Sequence, residues 1–556
     1  MKQWKIKEIE TKNPVNLPEY PNLIVKLLNL RGLSDSEQIY DFLNPDYNKL
    51  HDPFRFLQMQ TAVSRIKQAI ERQEKVTVYA DYDADAITAL SVVHLGLKKL
   101  GLNTSYYIPD RFAEGYGMNL EAIKALAADG TKLIITVDCG INAVEEAALC
   151  QELGVDLIIT DHHELTGELP NCLAVINPKN PSDEYPFPYL TGVGVAYKLI
   201  QALGLNGYEK WLLDLVAIGT VADCQSLTGE NRILVSYGLK VLAKTRHPGL
   251  RALLSLAGLE ANSQTVFDTF TLGFVLAPRI NAAGRIKHGN AAFQLLVAQE
   301  PNEAKTLALE LNQLNQHRQN LTQQILSEAK AQIELTSDKK VLMAVGKDWP
   351  KGVVGLVAGK LAEEYNRPVL AISNVEGIST GSARSIIGFD MVAALGSAKD
   401  LLQKYGGHTQ AAGFTLNSEN LVKFNQRLLE YADSLNLTVS DAVIEVDAEV
   451  QPADISWENF AYLEKLAPFG YGNAKPKFIG RDLEVLDCKS VGSDNKHAKL
   501  KVKFGQHNLE AICFGQGFLV NSLRIGARFD CVFELIANQW NGNRNLQLKI
   551  LDTKVK

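Results

Sequence analysis

Acidic and histidine side chains recur where predicted buried strands end. They are Asp81, Asp83 and Asp85 after VTVYA, Asp138 after KLIITV, Asp161, His162 and His163 after VDLIIT, and Asp223 after LLDLVAIGTVA. Carboxylates with one or two imidazoles and no thiolate suit Mn²⁺ or Mg²⁺ better than structural Zn²⁺. With this many acids we expect two ions, the arrangement that activates water and holds a phosphoryl group.

The elements that must position these side chains have the pattern of parallel βαβ units. Short apolar runs rich in β-branched and aromatic residues alternate with amphipathic stretches such as ITALSVVHLGLKKLG. The runs are VTVYA (76–80), TSYYI (104–108), KLIITV (132–137) and VDLIIT (155–160). This alternation predicts an α/β domain with a parallel sheet. Ligands bind beyond the carboxyl ends of such strands, so the acids and histidines are expected to converge there.

Each of these motifs also has a plainer explanation when it is taken alone. Asp-x-Asp after a strand is often a turn or a helix N-cap. A single histidine is usually structural, and Asp223 alone would be a residue at a helix end. Four acidic or histidine sites at strand ends favour a metal site over four unrelated structural roles.

The rest of the chain predicts a connecting helix, a second α/β unit and a β-barrel. Residues 303–334 contain no Gly or Pro and repeat apolar residues at helical spacing. KVLMAV and RPVLAIS are predicted strands, and MVAALGSAKDLLQKYG is a predicted helix. Short alternating strands from about Asp447 indicate an OB-like barrel. The predicted domains are an N-terminal segment (1–70), the first α/β domain (71–302), the connecting helix (303–335), the second α/β domain (336–440) and the barrel domain (441–556).

Composition excludes several classes of protein. Hydrophobic residues make up 46% and charged residues 22%, as in ordinary folded proteins. No run of 18 apolar residues predicts a membrane span, and the polar N-terminus has no signal-peptide core. Seven scattered cysteines without a CxxC pair favour free thiols in a reducing compartment. We therefore expect a cytoplasmic protein.

Charge is unevenly distributed along the chain. The net charge is −6 overall, but from Pro476 onward 13 Lys and Arg stand against 8 Asp and Glu. The preceding 475 residues therefore carry −11. A basic C-terminal module suits contact with a phosphate backbone, although a solvated basic surface would give the same count.

Ordered motifs resemble a known enzyme family. ADYDADAITAL, TVDCGI, ITDHHE and GTVADCQSL are similar to the four motifs of the DHH phosphoesterase superfamily. Segments that resemble its RecJ exonucleases are IPDRFAEGYGMN, TGVGVAYKL, APRINAAGRI, GVVGLVAGKL, GSARSIIGFD, GGHTQAAGFTL, APFGYGNAKPKF and NQWNGNRNLQLKILD. The resemblance runs in order from about residue 50 to the C-terminus.

The resemblance implies roles for individual residues. The implied metal ligands and catalytic residues are Asp83, Asp85, Asp138, His162, His163 and Asp223, with Asp81 as an additional acid at the metal site. The implied DNA contacts are Arg111, Arg279, Asn281, Arg285, Ser382, Arg384, Gly406, Gly407 and His408. Among these, Arg111, Ser382 and Arg384 would gather phosphate oxygens at the 5′ end.

The resemblance also implies an activity: hydrolysis of single-stranded DNA from its 5′ end to 5′-mononucleotides, in repair and recombination, with Mn²⁺ or Mg²⁺. It implies contact with single-strand-binding protein and a repair helicase, and a monomer is expected. Barrel aromatics such as Phe504, Phe514 and Trp540 would stack on bases or form the barrel core. The alternatives are a non-catalytic single-strand-binding scaffold and a DHH phosphodiesterase that acts on short oligonucleotides or cyclic dinucleotides.

Two positions depart from the family pattern. Ala86 follows the DxD pair where the family usually has Gly, and an alanine there would cost about 1 kcal/mol or more if the position required positive φ. Trp349-Pro350-Lys351-Gly352 replaces a Trp-His-x-Gly segment, so a DNA-contacting histidine is missing. Neither departure removes an implied ligand, and activity is still expected.

Overall fold

The computed structural model describes residues 2–9, 17–111, 114–262, 264–286, 288–336, 338–435, 443–540 and 543–556. Its first elements are β1 (Gln3–Ile6), α1 (Asn22–Asn29) and α2 (Ser36–Leu43).

The first α/β unit follows. Its elements are α3 (Met59–Arg72), β2 (Val76–Ala80), α4 (Ala84–Lys99), β3 (Ser105–Tyr107), α5 (Leu120–Ala128), β4 (Leu133–Val137), α6 (Val144–Glu152), β5 (Asp156–Thr160), β6 (Ala174–Ile176), α7 (Gly192–Leu203), α8 (Leu213–Ala222), α9 (Gly229–Leu242), α10 (Pro248–Leu256), α11 (Ala277–Ile286) and α12 (Asn290–Val297).

The first α/β unit contains the expected parallel sheet, in the order β3-β2-β4-β5-β6. All four predicted strands are confirmed, and the short β6 adds a fifth. Every residue of β2 and β4 is buried, which explains their unbroken apolar runs. Helix α4 is also buried along most of its length, between the sheet and helices α7 and α8. Strands β2, β4 and β5 are adjacent, so the loops after them meet at one edge of the sheet.

The second α/β unit follows the predicted long helix, α13 (Pro301–Glu334). Its elements are β7 (Leu342–Lys347), α14 (Lys351–Tyr365), β8 (Val369–Val375), β9 (Ile378–Arg384), α15 (Met391–Gly396), β10 (Leu402–His408), β11 (Ala411–Asn417) and α16 (Leu421–Ser434). The sheet order is β10-β11-β9-β8-β7, and only β7 and β8 are parallel.

The predicted helix over MVAALGSAKDLLQKYG is wrong in its second half. Helix α15 ends at Gly396, and LQKYGGH forms strand β10 instead. This strand pairs antiparallel with β11, from Leu402 opposite Leu416 to His408 opposite Ala411. Pairing with a distant segment therefore outweighs the local helix propensity of Leu, Gln and Lys.

The C-terminal strands form the predicted barrel. The elements are β12 (Val443–Val446), β13 (Ala448–Glu449), α17 (Trp457–Lys465), β14 (Phe478–Val491), β15 (His497–Phe504), β16 (His507–Cys513), β17 (Arg528–Trp540) and β18 (Asn543–Val555). Strands pair in the order β14-β15-β16-β18-β17, and β17 pairs again with β14, which closes a five-stranded barrel. The predicted OB-like fold is confirmed.

The N-terminal elements belong to the barrel in space. Ile24, Leu27 and Leu28 of α1 lie in one hydrophobic core with residues of β14 to β18. Strand β1 pairs in parallel with β12. Residues from Phe56 onward instead pack into the core of the first α/β unit. The predicted boundary between residues 440 and 441 lies outside the described residues.

A buried arginine joins the barrel to the first α/β unit. Arg232 on α9 donates to the carbonyl oxygens of Phe42, Leu466 and Lys465 at 2.8 to 2.9 Å. Burial lowers the pKa of Arg232 to about 9. These three bonds satisfy a guanidinium that would otherwise be costly to bury.

Two expectations from composition can be compared with the structure. Among the described residues, no helix is both long and apolar enough to cross a membrane. All seven cysteines lie in described ranges, and each is free.

Candidate metal and phosphate site

Four of the predicted ligand side chains converge at the edge of the first sheet. His162 Nε2 lies 3.1 Å from Asp138 Oδ1, 3.7 Å from Asp223 Oδ2 and 3.9 Å from Asp85 Oδ2. Two sets of potential ligand atoms share His162, each set within 4.8 Å: Asp138 with His162 and His163, and Asp85 with His162 and Asp223. One imidazole nitrogen has one lone pair, so His162 Nε2 would be a ligand of one cation among these acids.

Helix N-termini hold two of the acids in place. Asp83 is the N-cap of α4, and its Oδ1 accepts hydrogen bonds from the backbone of Asp85 and Ala86. Asp85 lies in the first turn, where its two carboxylate oxygens accept from the amides of Gly192 and Val193 at the start of α7. These amides and the positive end of the α7 dipole stabilise the charged carboxylate.

Asp138 reaches the site through an unusual backbone conformation. It follows β4 directly and has φ of +60°, in the left-handed region that few residues other than glycine adopt. Its amide donates to the carbonyl oxygen of Thr160 in β5, which holds this conformation. Backbone strain of this kind costs about 1 kcal/mol or more and clusters at functional sites.

Asp161 contacts both histidines through its carboxylate. Its Oδ1 accepts from the amides of His162 and His163 and lies 2.7 Å from His163 Nδ1, while its Oδ2 accepts from the amide of Ile141. Burial acts to raise the pKa of Asp161, but the bond with His163 and the other donors outweigh it, so the pKa is lowered. Asp161 therefore stays ionised and orients His163.

In the other buried acids, the effects that raise the pKa outweigh those that lower it. Burial first, and then the neighbouring Asp223 and Asp83, raise the pKa of Asp85. Burial and the neighbouring acids likewise raise the pKa of Asp138. The same causes raise the pKa of Asp223 to about 6 and that of Asp81 to about 8. Burial lowers the pKa of His162 to about 3, so it is neutral at pH 7. A cluster of repelling carboxylates around a neutral imidazole calls for a cation.

The donor set fits a divalent metal. Asp81 Oδ1, Asp138 Oδ1 and Asp223 Oδ2 are buried and have no hydrogen-bond partner among the described residues. Unpaired buried oxygens are costly, and a cation would satisfy them. The 3.1 Å between Asp138 Oδ1 and His162 Nε2 also suits two ligands of one ion, because bonds of about 2.1 Å at right angles place ligand atoms about 3 Å apart.

Two glycines leave room for the acids. A Cβ atom on Gly192 would lie 2.5 Å from both Cβ and Oδ1 of Asp138. A Cβ atom on Gly219 of α8 would lie 2.3 Å from Thr88 Oγ1 and 2.8 Å from Asp85 Oδ1. Such distances are far inside van der Waals contact, so any larger residue would displace a predicted ligand.

A cluster of arginines lies beside the acids. Burial, followed by the like charges of Arg111, Arg318 and Arg384, lowers the pKa of Arg285 to about 10. The Arg111 guanidinium lies 4.9 Å from the centre of the Tyr82 ring, next to the DxD pair. Arg384 donates to Ser382 Oγ at 3.0 Å. Several guanidinium groups held together in this way have the charge and the geometry to bind phosphate oxygens.

Strand pairing aligns the predicted glycine-rich DNA contacts on β10 with Arg384 on β9. In the second sheet, His408 lies opposite Ala411, which lies opposite Arg384. Gly406 and Ser382 are both opposite Gly413. Gly407 has φ of +144°, and a Cβ atom there would lie 2.3 Å from the carbonyl oxygen of Ala411. Ser382, Arg384, Gly406 and His408 therefore lie on the same face of three strands, whereas Gly407 is in register with the buried Ala412.

Two predicted DNA contacts have internal partners. Asn281 Oδ1 accepts from the amide of Ala84 at 2.8 Å, so its side chain supports the N-terminus of α4. Arg279 donates to Asn312 of α13 and to the carbonyl oxygen of Val275. These contacts connect the N-terminus of α4 to α11, and α11 to the long helix α13.

Models of three protein families match successive parts of the chain. "DHH family, N-terminal domain" matches residues 75–220, "DHHA1 domain" 338–434 and "RecJ OB domain" 446–552. The single-stranded-DNA-specific exonuclease RecJ of Bacillus subtilis is 41% identical over 564 residues, covering 100% of this chain and 71% of the relative. The RecJ exonuclease of Escherichia coli is 32% identical, covering 99% and 98%. The chain belongs to the RecJ family.

A solved structure extends the likeness to three dimensions. The crystal structure of RecJ in complex with Mn²⁺ from Thermus thermophilus superposes with a TM-score of 0.82 and 27% identity. The match covers 99% of this chain and 79% of that one. Nearly the full length of this RecJ family member thus has the architecture of part of a protein solved with a divalent metal.

The two departures from the RecJ pattern have simple structural outcomes. Ala86 lies in the first turn of α4 and is not among the described residues with positive φ, so alanine costs no backbone strain there. Lys351 begins helix α14 and is exposed. Its neighbour Gly352 accepts from Arg285 Nη1 at 3.3 Å, and a Cβ atom on Gly352 would meet the Arg285 carbonyl oxygen at 2.3 Å.

The barrel aromatics divide between core and surface. Phe504 is 4% exposed and belongs to the barrel core, whereas Phe514 is 54% exposed. The side chain of Trp540 lies outside the described part of the structure. Phe514 thus remains available for stacking, and Phe504 does not.

Two site residues have no individual role assigned to them from the sequence. Asp161 stands beside the histidine pair, but the sequence pattern assigns it no role of its own. Arg318 lies on α13, where its helical spacing gives no functional signal, and it is revealed only by its proximity to Arg285.

Proposed function

We propose that this chain is a metal-dependent exonuclease that hydrolyses single-stranded DNA from its 5′ end to 5′-mononucleotides in DNA repair and recombination. One observation carries the proposal: Asp85, Asp138, His162 and Asp223 converge beside a cluster of arginines, and buried oxygens of Asp138 and Asp223 have no hydrogen-bond partner among the described residues. The printed names of relatives that match essentially the whole chain support single-stranded DNA as the substrate class.

The residues that would hold two Mn²⁺ or Mg²⁺ ions are Asp83, Asp85, Asp138, His162, His163 and Asp223, with Asp81 as an additional acid. Bound divalent cations supply Lewis-acid activation of water and neutralise charge on the phosphoryl group. His162 is neutral and can offer a lone pair without first losing a proton. Asp161 keeps His163 in one orientation, which is the usual role of a carboxylate behind a ligating histidine.

The proposed attack at the 5′ end is supported by the arginine cluster beside the acids. Arg111, Ser382 and Arg384 would bind the oxygens of a 5′-terminal phosphate, which places the first phosphodiester bond beside the acids. A guanidinium binds two phosphate oxygens at once and so fixes orientation as well as charge. Arg285 and Arg318 would neutralise the backbone phosphates that follow.

The barrel extends the DNA path beyond the reacting bond. OB-folds bind single strands along a basic surface, and the C-terminal module carries the surplus of positive charge. We include in the proposal a monomeric, cytoplasmic enzyme that meets single-strand-binding protein and a repair helicase. The two protein contacts are supported by the family alone, and the location is supported by the free cysteines.

The test is digestion of single-stranded DNA labelled at either end, with Mn²⁺ and with EDTA. Release of the 5′ label as a mononucleotide is expected with Mn²⁺ only, and duplex DNA should be resistant. Asp138→Asn should lose at least about 100-fold in rate, because a displaced or missing ligand disrupts the reacting geometry.

Asp129→Asn is the matched control. Asp129 is an exposed acid at the end of α5 that pairs with Lys75, far in structure from the sheet edge used by Asp138. This variant should retain full activity. DNA binding without cleavage in both Mn²⁺ and Mg²⁺ would contradict the proposal and favour the scaffold alternative. Release of the 3′ label first would contradict the proposed direction.

A further inference from the structure

The cleft between the first α/β unit and the barrel carries an aromatic pair that the metal site does not use. The cleft has a volume of about 1720 Å³ and is lined by both domains. On the wall formed by the first α/β unit, Phe270 immediately precedes a π-helical turn, Thr271–Leu276, and Phe274 lies within it. Their side chains are 60% and 70% exposed. The ring centroids are 5.0 Å apart and the planes are inclined by only 17°.

This exposure calls for an explanation. Phenylalanine is among the residues most often buried, and two adjacent exposed rings leave apolar surface in water. The rings are already nearly parallel, so a planar ligand could stack on them without reordering the side chains. π-Helical turns are also frequent at functional sites. Across the cleft, the barrel contributes Phe514, which is 54% exposed.

The charge of the cleft identifies the occupant. Seven Lys or Arg and three Asp or Glu line it, whereas the whole chain carries −6. Lys475 lies toward the barrel, while Arg285 and Arg318 lie at the end where the arginine cluster meets the acids. A positively charged channel with exposed aromatic rings is the combination that binds unpaired nucleic acid.

We infer that Phe270 and Phe274 form a platform on which unpaired bases stack, on the 3′ side of the nucleotide being removed. The inference rests on the proposed function and deepens it by naming the residues that hold the bases. Insertion of a base between the rings would need about 7 Å, twice a carbon contact distance, so bases stack on the outer faces. Every base has a π face, so the platform is indifferent to sequence.

The experiment uses the full chain and two strands: oligo-dT, and the same strand with a run of abasic sites beginning a few nucleotides from the 5′ end. The abasic strand keeps its phosphates but has no bases to stack. For the wild type, we expect KM to be about 5-fold to 100-fold lower on oligo-dT than on the abasic strand. The double variant Phe270→Leu with Phe274→Leu should raise KM on oligo-dT toward the abasic value. Its KM on the abasic strand and the salt dependence of KM should not change, because no phosphate contact is lost.

Phe518→Leu is the matched control. Phe518 is 66% exposed on the barrel and is not among the described residues that line the cleft. Its substitution should leave KM unchanged on both strands. An unchanged KM on oligo-dT in the double variant would overturn the platform, as would an equal rise on both strands. A wild type that digests neither strand would overturn the proposed function itself, so the two failures are distinguishable.

Discussion

The carboxylate of Asp161 lies 2.7 Å from Nδ1 of His163. An ionised carboxylate can only accept, so Nδ1 carries a proton. Burial acts to lower the pKa of His163, but the bond with Asp161 outweighs it and the pKa is raised; loss of the second proton leaves the lone pair on Nε2. Asp161 is 1% exposed and also accepts three backbone amides, so it has no freedom to move away. The tautomer and direction of His163 are thus determined by a residue that is itself outside the sets of potential ligand atoms.

Asp161→Asn should therefore weaken metal binding while preserving the fold. We expect Mn²⁺ affinity to fall roughly 10-fold to 100-fold, the usual effect of losing a carboxylate behind a ligating histidine. Isothermal titration with Mn²⁺ measures it directly. Asp156→Asn, an exposed acid of β5 that pairs with Arg65, is the control. Equal affinities of the Asp161 variant and the wild type would show that His163 needs no such support.

Gly192→Ala should inactivate the enzyme through Asp138. The new Cβ would overlap the Asp138 side chain at 2.5 Å, and the ligand would have to move. A shift of about 1 Å at a reacting centre can cost roughly 100-fold in rate. Gly194→Ala is the matched control in the same helix, since its Cβ would meet its nearest atoms at 3.3 Å. Comparable activity of the two variants in Mn²⁺ would contradict the steric role of Gly192.

The metal-free enzyme should become less stable as the pH rises. Asp223 and Asp81 have folded-state pKa values of about 6 and about 8, above the unfolded value of about 4. The folded state therefore binds more protons, and the stability present below pH 4 is lost as the pH rises through 6 and 8. Urea unfolding in EDTA measures this decline.

Two comparisons isolate the cause of this pH dependence. Asp81→Asn cannot ionise, so in EDTA at pH 8 it should exceed the wild type in unfolding free energy by more than about 1 kcal/mol. Saturating Mn²⁺ should reduce the decline in the wild type, because a bound cation stabilises the ionised carboxylates. A decline that is identical with and without Mn²⁺ would rule out the acidic cluster as its source.

Arg318→Gln should weaken DNA binding in a salt-dependent way. If Arg318 neutralises one backbone phosphate, its loss reduces the slope of log KM against log salt by about 1. Digestion of oligo-dT at several salt concentrations gives the slope. Arg72→Gln removes an exposed arginine of α3 and should leave the slope unchanged. A loss of kcat with an unchanged slope would instead indicate a role in the chemical step.

Much of the site can be predicted because its residues are adjacent to strand ends. Buried parallel strands read as unbroken apolar runs, and their carboxyl ends must share one edge, so Asp138 and His162 are expected to meet. Asp83 illustrates the limit of this reasoning. It is the N-cap of α4, as the plain explanation predicts, and its role as a metal ligand stays a prediction.

What the sequence does not predict depends on contacts between distant segments. Strand β10 forms because β11 pairs with it, and no local pattern in LQKYGGH predicts that pairing. Asp161 and Arg318 have ordinary local contexts, and only their neighbours in space give them a role. The core shared by α1 and the barrel likewise joins residues more than 400 positions apart.

That shared core has a consequence for the newly made chain. Ile24, Leu27 and Leu28 leave the ribosome before the strands that cover them, which follow more than 400 residues later in the chain. At about 5 to 20 residues per second, their partners follow roughly 20 to 90 seconds later. Until then α1 must stay unpaired or be shielded by a chaperone. A product that stops before those strands would leave these apolar side chains exposed, as an aggregation-prone surface.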